Sequence, residues 1–312
     1  MTALRRCEII PEPGHQVRFL VDGREATRWH FAPTDPRPCF YPLVGPESGR
    51  SITRMGHPGA ENHDHHRSVW FAHHKVLGID FWGIGAESQV RQRNWYVYDE
   101  ADDAARMAVR LDWLDGHDPK PLIEQELVAI LKPLAVREFT LELQSTFRPN
   151  ADEIEFQMSN FGFLGIRVAR TISAHFGEGT ITSSTGLTGE KAIFGTAAEW
   201  MDYSGPMPTA GESGALTSVV EGITCFDHPD NPSYPVKWHV REDGWMGPSA
   251  CRDSALITTR EQPLRLRYLL HVHRGPIDAY RAAEVAAGWH PTPWLQVVKS
   301  SQPHRQFELQ EA

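Results

Sequence analysis

The stretch at residues 264–272 reads LRLRYLLHV, and each of its even-numbered positions carries an apolar or aromatic side chain. Arg265, Arg267 and His271 stand between those positions. Successive side chains of a β-strand point to opposite faces, so this alternation predicts a strand with one face against an apolar core. Alternation of this kind is typical of antiparallel sheets, and it therefore decides the predicted fold class.

The same pattern continues on both sides of that stretch. Residues 138–147 and 154–158 alternate in the same way. Further short apolar or alternating runs predict the other strands, at residues 7–10, 16–21, 24–29, 90–98, 107–114, 122–131, 166–174, 180–183, 216–226, 236–240 and 255–259. Only residues 277–287 predict a helix. We therefore predict an all-β protein, a large antiparallel β-sandwich of the supersandwich type with one short C-terminal helix.

Two segments predict loops rather than strands. Residues 31–50 are rich in proline, which cannot donate a backbone hydrogen bond within a sheet. Residues 184–214 are rich in Gly, Thr and Ser, and connections of that length usually carry function or stay mobile. By contrast, Asp22-Gly23 between two predicted strands is typical of a tight hairpin turn.

Length, charge and composition limit the function classes. A chain of 312 residues with 40% hydrophobic content can form one large core, so we expect a single β-sandwich domain over residues 1–312. The net charge of -9 and the absence of a long basic run argue against a nucleic acid or an anionic membrane surface as the partner. No window of eighteen apolar residues and no apolar N-terminal segment is present, so the cytoplasm is the expected compartment.

The cysteines and the sheet edges give two further expectations. Cys7, Cys39, Cys225 and Cys251 are widely spaced, which is typical of reduced thiols rather than disulfides or a cysteine zinc site. The exposed edges of a large sandwich need covering, and pairing across a two-fold axis would make a homodimer.

The most unusual segment of the chain is rich in histidine. Residues 56–82 read GHPGAENHDHHRSVWFAHHKVLGIDFW and contain six of the sixteen histidines, at positions 57, 63, 65, 66, 73 and 74. Imidazole exchanges protons near neutral pH and is a common metal ligand, so this cluster predicts the floor of a functional site. Residues 68–71 favour a strand, entered from a loop that carries the first four histidines.

Two interpretations of the histidine loop stay open. His63 and His65 project to one face of an extended segment and could bind one metal ion, with the intervening Asp64 as a hydrogen-bond acceptor behind them and Glu61 in the same cluster. The alternative is a hydrated loop whose imidazoles bond backbone carbonyl groups.

Two later segments also carry candidate site residues. Residues 226–241 read FDHPDNPSYPVKWHVR, a stiff loop that could present His228 to a cleft, or a plain turn in which Asp227 caps backbone amides. Around residues 188–203, Glu190 and Asp202 lie near aromatic residues, a combination typical of sugar binding. The alternative is that those aromatic residues fill the core.

Several common motifs are absent. The chain has no G-x-G-x-x-G, P-loop, G-x-S-x-G or H-E-x-x-H sequence. We therefore expect no nucleotide cofactor, no serine-hydrolase site and no zincin site.

The motifs together resemble the bacterial PmoA-like family. The resemblance covers residues 38–280 and rests on FYPLVGP at 40–46, DHHRSVWFAH at 64–73, GIDFW at 78–82, STGLTGE at 184–190, WMDYSGP at 200–206, FDHPDNPSYPVKWHVR at 226–241 and LRLRYLLHVHRG at 264–275. The family takes its name from a methane oxygenase subunit, but such a subunit needs transmembrane helices, and none is predicted here.

The resemblance implies a soluble β-sandwich protein of the kind often encoded near sugar oxidoreductases and carbohydrate-degrading enzymes. It carries over a set of motif positions: His63, His65, His66, Arg67, His73, Asp80, Glu190, Asp202, Tyr203, Asp227, His228 and His239. This chain departs from the family at residues 73–78, where HHKVLG replaces the usual H-G-D-V-N-G, so the ligand role of that Asp and Asn does not transfer.

The leading hypothesis is an enzyme, a lyase or hydrolase acting on a sugar or an oxidised (3-keto) glycoside. A divalent metal on His63, His65 and a third ligand such as His73 or His228 is one way to run that chemistry. A remaining His or Glu190 would serve as general base, and Arg67 would hold an oxygen of the substrate. The alternatives are a metal-free mutarotase or epimerase, and a carbohydrate-binding module without turnover. In each case the expected partner is a small carbohydrate.

The predicted site residues fall into three groups. The catalytic candidates are His65, His66, Arg67, His73, Glu190 and His228; the substrate-binding candidates are Trp70, Asp202, Tyr203, Asp227 and His239; and the metal candidates are His63, His65 and His73. We expect His63, His65 and His66 to line one cleft with residues from the loops at 184–206 and 226–241, because distant motifs act together only where loop ends meet.

Overall fold

The protein is an antiparallel β-sandwich of two eight-stranded sheets. Its structure is a computed structural model that describes residues 6–56, 63–84, 87–211 and 214–312. In spatial order, the first sheet contains β1 (Cys7–Glu12), β2 (Gln16–Val21), β3 (Arg24–His30), β4 (Cys39–Leu43), β5 (Val69–His73), β11 (Gly162–Arg167), β16 (Trp245–Pro248) and β15 (Trp238–Arg241). The predicted fold class is confirmed.

The second sheet contains the longer strands. Its spatial order is β12 (Thr180–Ser183), β13 (Trp200–Ala210), β14 (Leu216–Asp227), β18 (Leu264–Arg274), β9 (Phe139–Pro149), β8 (Ile123–Pro133), β7 (Ala105–Leu114) and β6 (Gln89–Glu100). Two smaller sheets pair β10 (Glu153–Phe156) with β17 (Leu256–Thr259), and β19 (Leu295–Lys299) with β20 (Phe307–Glu311). The helices are a single turn, α1 (Glu190–Ile193), and the C-terminal α2 (Ala279–Trp289).

The core lies between the two large sheets. The even-numbered residues of β18, from Leu264 to Val272, all belong to it, as the alternation predicts. Phe156 is fully buried in the same core. All four cysteines are buried and free.

Two elements cover the outer face of the second sheet. Helix α2 packs Ala282, Ala286 and Trp289 against residues of β13, β14 and β18. Asp278 caps the helix by accepting hydrogen bonds from the backbone of Tyr280 and Arg281. The β19–β20 hairpin packs its apolar side chains against β6, β7 and β8. Within the described ranges, neither helix has the length and apolar character needed to cross a lipid bilayer.

Two predicted loops contain strands instead. Strand β4 lies in the proline-rich segment. The strand accommodates Pro42 because β4 pairs with β5 only through Cys39 and Phe40, which precede that proline. Strand β13 lies in the segment at residues 184–214 that was predicted to be a loop. On one side, β13 pairs with β12 only through residues 201–204. Pro206 and Pro208 therefore occupy the part of β13 that has one open side. The prediction also missed β16, β19 and β20, and β11 begins and ends earlier than predicted.

Candidate functional site

A cleft of about 680 Å³ opens on the outer face of the first sheet. Its lining includes His63, His65, His66, Glu190, His239 and Trp245. We call it the histidine cleft. Strand β5 shows why it lies on the outer face: Val69 and Phe71 belong to the core, whereas Trp70 belongs to a separate aromatic cluster behind the cleft.

The floor of the histidine cleft is lined by Trp82 and Trp245, and Trp70 lies behind them in the same aromatic cluster. The three ring centroids lie 5.3 to 5.4 Å apart. Two glycines allow these rings to lie flat against the sheet. A Cβ at Gly165 would lie 2.7 Å from Cζ2 of Trp70, and one at Gly247 would lie 2.7 Å from Cζ2 of Trp245.

The imidazoles form a compact stack on that floor. The ring of His66 stacks on Trp70 at 5.4 Å and on Trp245 at 5.3 Å, and His63 stacks on His66 at 4.9 Å. His65 meets His66 edge-on at 4.4 Å and lies 6.2 Å from His63. These histidines are close together because residues 63–66 form a turn, in which the backbone N–H of His66 donates to the carbonyl of His63 at 3.1 Å.

A buried arginine holds this turn against the next segment. Arg37 donates one hydrogen bond to the carbonyl oxygen of His65 at 3.3 Å and another to that of Gly83 at 2.6 Å. The turn therefore keeps a fixed position beside Trp82.

His63 lies next to an anchored carboxylate. Its Nδ1 is 3.8 Å from Oδ2 of Asp243, and Oδ1 of Asp243 accepts a hydrogen bond from the buried Arg167 at 2.8 Å. Burial lowers the pKa of His63, and the nearby Asp243 opposes that shift only in part. At neutral pH the imidazole is therefore uncharged, the form that can accept a proton.

Glu190 fixes the opposite rim. Its Oε1 accepts a hydrogen bond from Arg241 at 2.7 Å, and its Oε2 accepts one from the backbone N–H of Glu242 at 2.7 Å. From the core side, the hydroxyl of Tyr203 donates to the carbonyl oxygen of Glu242 at 2.9 Å. Residues 241–243 are thus held from both sides.

Several buried nitrogen atoms around the cleft lack partners. Among the residues that the structure describes, Nε1 of Trp70, Trp82 and Trp245 and Nε2 of His239 have no hydrogen-bond partner. Unpaired buried polar atoms are rare in folded proteins, and a group of them calls for a functional explanation.

The structure brings one part of the predicted site together. The histidine cleft combines His63, His65 and His66 with Glu190 from the first distant loop and His239 from the second, while Trp70 lies behind the cleft against the ring of His66. Asp80, a position carried over from the family resemblance, also lines the cleft, and the remaining predicted residues that the structure describes lie elsewhere. Glu61 and His57 fall outside the described residues.

His73 requires a correction. Its ring is fully buried in the core between Phe156 and Phe163, with centroid distances of 5.4 and 5.0 Å. It faces away from the cleft because it shares its side of β5 with Val69 and Phe71. Burial lowers the pKa of His73 to about 3. It therefore cannot bind one metal ion together with His63 and His65.

His228 and Asp227 also lie outside the cleft. The ring of His228 contacts Trp289 of α2 at 4.8 Å, and burial lowers its pKa to about 4. Asp227 accepts hydrogen bonds from the side chain of Asn231 at 2.6 Å and the backbone of Val236 at 2.9 Å. The turn interpretation of this segment therefore fits better than a role in the site.

Arg67 and Asp202 are occupied by other partners. Arg67 forms an ion pair with Asp35 at 2.6 Å. Asp202 is fully buried in the second sheet and accepts hydrogen bonds from Thr224 at 2.9 Å and His273 at 2.8 Å. Tyr203 points into the core and acts on the cleft only through the backbone of residues 241 and 242.

Several residues that line the cleft were not predicted as site residues, and two of them matter most for its chemistry. Asp243 and Trp245 lie in and after the turn between β15 and β16. The pair Asp243-Gly244 is a turn signal, and it could have marked a carboxylate at a strand end. Within the described part of the chain, no group of three or more His, Cys, Asp or Glu side chains is arranged to hold a metal ion.

Comparison with known proteins gives one clear match. A family model described as "Family of unknown function (DUF6807)" matches residues 16–287. No curated protein matches the chain. Among solved structures, the 4-alpha-glucanotransferase from Thermococcus litoralis is similar with a TM-score of 0.34 and 8% sequence identity. The similarity covers 88% of this chain and 40% of that structure, so this chain spans less than half of that enzyme.

Proposed function

The chain belongs to the DUF6807 family, whose function is unknown, and we propose from its own geometry that it is a carbohydrate-active enzyme that uses the histidine cleft. The proposed reaction is that of a lyase or hydrolase on a sugar or an oxidised (3-keto) glycoside. The resemblance to the PmoA-like family implies the same substrate class.

One observation carries the proposal: a floor of tryptophans with unpaired N–H groups lies beneath a stack of imidazoles. Aromatic rings pack on the apolar face of a pyranose, and indole N–H groups donate to its oxygen atoms. The volume of about 680 Å³ lies within the usual range for small-molecule sites.

His63 is the proposed general base. Its imidazole is uncharged because burial lowers its pKa, and Asp243 stabilises the cation that forms when it takes a proton. In a lyase that proton comes from the carbon next to the carbonyl, and in a hydrolase it comes from water.

His65 is the proposed general acid. Its ring centroid lies 6.2 Å from that of His63, with the two rings nearly perpendicular, so the pair can act on neighbouring atoms of one substrate. In its protonated form His65 gives its proton to the oxygen of the leaving group as the C–O bond to that group breaks. In a lyase the electron pair of the broken C–H bond forms a C=C bond, and in a hydrolase the oxygen of water bonds to the carbon that loses the leaving group.

Two roles from the sequence hypothesis change. Both carboxylate oxygens of Glu190 already accept hydrogen bonds, so Glu190 positions the rim and is not the base. Arg67 is paired with Asp35 and does not line the cleft, so it does not hold the substrate.

A bound metal remains a separate proposal. The set His63, His65 and His73 does not fit one ion, because the ring of His73 lies in the core. A divalent ion on His63 and His65 with a different third ligand is tested by metal analysis of protein purified without a histidine tag. No step proposed above depends on it.

The test is a substrate panel of glycosides and 3-keto glycosides, assayed with and without added divalent metal. We expect turnover of at least one compound, lost in His65→Ala and retained in His117→Ala, which changes an exposed histidine in a distant turn. Binding without turnover would favour a carbohydrate-binding module. Interconversion of anomers alone would favour a mutarotase.

A further inference from the structure

We infer that His239 accepts a hydrogen bond from a hydroxyl group of an uncharged sugar in the histidine cleft. This assignment rests on the proposed function, and it names both a specificity residue and the charge of the substrate.

His239 is held firmly in the cleft wall. It lies on β15, lines the cleft and is only 3% exposed. Its ring packs against Phe161 at 4.9 Å, Phe194 at 5.1 Å and Trp245 at 5.8 Å. This packing leaves the ring little freedom to turn, so its two nitrogen atoms keep distinct surroundings.

The surroundings of His239 select one tautomer. Its Nδ1 lies 3.4 Å from the carbonyl oxygen of Asn160. A carbonyl oxygen can only accept, so Nδ1 carries the hydrogen and Nε2 keeps its lone pair. Burial, with a smaller contribution from Arg241, lowers the pKa of His239 to about 4, so the ring is uncharged at neutral pH.

The lone pair on Nε2 of His239 is unusual because it is buried and has no donor among the described residues. A buried acceptor without a donor destabilises the unliganded protein, and a ligand that supplies an O–H removes this penalty on binding. Nearby, the indole N–H groups of Trp82 and Trp245 are donors without acceptors. One acceptor and two donors together suit neighbouring hydroxyl groups of a sugar ring.

The charged groups of the cleft exclude an acidic sugar. The described lining includes the carboxylates of Asp80, Glu190, Glu242 and Asp243. Arg241 is the sole lysine or arginine among the described lining residues, and Glu190 already binds it at 2.7 Å. A uronate would therefore meet carboxylates without a free arginine to balance its charge, whereas an uncharged sugar meets no such repulsion.

Calorimetric titration with defined glycosides tests the inference. The probes are methyl hexopyranosides, their monodeoxy analogues, the matching 3-keto glycosides and methyl uronides. On the wild type we expect an uncharged glycoside to bind at least about tenfold more tightly than its uronide. Removing one particular hydroxyl should weaken binding by about tenfold, the usual effect of one lost hydrogen bond.

Two variants locate that hydroxyl at His239. His239→Phe keeps the ring packing but removes the acceptor, so binding should fall by about tenfold and the sensitive monodeoxy analogue should lose nothing further. His239→Gln offers an amide oxygen and should recover part of the affinity. His30→Phe is the matched control, because it also removes an imidazole that bonds a backbone carbonyl, in this case that of Tyr41, at a half-buried position away from the cleft.

The outcomes are separable. If a glycoside binds the wild type and His239→Phe binds it equally well, the role of His239 is wrong while the proposed function stands. If a uronide binds more tightly than its uncharged parent, the substrate class is wrong. If no glycoside or 3-keto glycoside binds the wild type, both the proposed function and this inference fail. Melting curves of both His239 variants establish that each is folded.

Discussion

The outer faces of the two sheets both carry clusters of histidines, but in different surroundings. On the first sheet, His63, His65 and His66 stack on one another and on tryptophans beside an open cleft. On the second sheet, His271 and His273 are buried, and each bonds a buried carboxylate. The role of a histidine is therefore set by its partner and by the space next to it. We propose that the second-sheet pairs stabilise the fold, whereas the cleft imidazoles exchange protons with a ligand.

Electrostatics sharpens this difference. Burial alone would lower the pKa of His273, but the carboxylate of Asp202 outweighs burial and raises it. In the cleft, burial dominates, and the pKa of His63 and that of His239 are both lowered. His273 therefore keeps a charged imidazole, whereas burial lowers the pKa of its neighbour His271 despite the bond to Glu138, as it does for the two cleft histidines.

The largest effect is expected on catalytic activity, from a substitution in the histidine cleft. His65→Ala should reduce kcat/KM by about 10²–10⁴, since general acid–base catalysis typically contributes that factor. Its melting temperature should stay within a few degrees of wild type, because the side chain is not part of the core. The measurements are kinetics on the identified substrate and a thermal melt. An active variant that unfolds far below wild type would make the cleft histidines structural and remove the contrast between the faces.

A substitution in the core between the two sheets should have the opposite effect, a loss of stability with little change in ligand binding. Phe156 is fully buried, and Phe156→Ala should lower the free energy of unfolding by about 3–5 kcal/mol through lost burial and the cavity that remains. Substrate affinity at a temperature where the variant is folded should change little. Chemical denaturation measures the stability loss. A variant that is as stable as wild type but inactive would contradict this assignment.

The second-sheet pair is expected to matter for stability alone. Asp202→Ala leaves His273 buried without its carboxylate and should destabilise the protein by roughly 3 kcal/mol. The pKa of His273 is raised in the folded protein, so the pair contributes fully below about pH 6.5 and is lost as the pH rises through the folded pKa. The difference in stability between wild type and variant should therefore shrink at high pH. A difference that is independent of pH would show that His273 is not charged in the fold.

The smallest effect on stability is expected for His73, which lies in the core and not on an outer face of either sheet. The core ring of His73 has Nε2 without a partner among the described residues, but its Nδ1 accepts a hydrogen bond from the backbone N–H of Lys75 at 3.1 Å. His73→Phe removes both the unpaired nitrogen and that bond, so the free energy of unfolding should stay within about 1 kcal/mol of wild type at pH 8. Because burial lowers the pKa of His73 to about 3, wild type loses stability as the pH falls from about 6.5 towards that value, and the variant does not. The variant should therefore gain stability relative to wild type at pH 5. Loss of a bound metal or of activity in this variant would restore His73 to the site.

The strand pattern was predictable where one face of a strand is apolar throughout. Strand β18 is the clearest case, since its even-numbered residues enter the core. Strand β13 was not predictable, because Gly205 lies against the backbone of Gly179 and Ile172, and that close approach depends on tertiary packing. The glycine and proline residues of β13 are therefore not signs of a loop. Gly205 is needed for close packing, and the prolines lie where β13 has no partner strand on one side within the described ranges.

The candidate site was predictable only where its residues are neighbours in sequence. His63, His65 and His66 share one turn, so their spacing already placed them together. Trp245 reaches the same floor only because β11 lies between β5 and β16, and the sequence does not encode that strand order locally. The position of His73 could have been found, since it shares its strand face with the apolar residues Val69 and Phe71.

The glycines beneath the tryptophan floor have a consequence for how this cleft can change. A methyl group at position 165 or 247 would occupy space now filled by an indole ring, so that ring would have to move outward. The cleft would become shallower although every residue that faces the ligand stayed the same. Ligand size can therefore be altered by substitutions on the far side of the floor, which makes Gly165→Ala a means of narrowing substrate range without changing the catalytic groups.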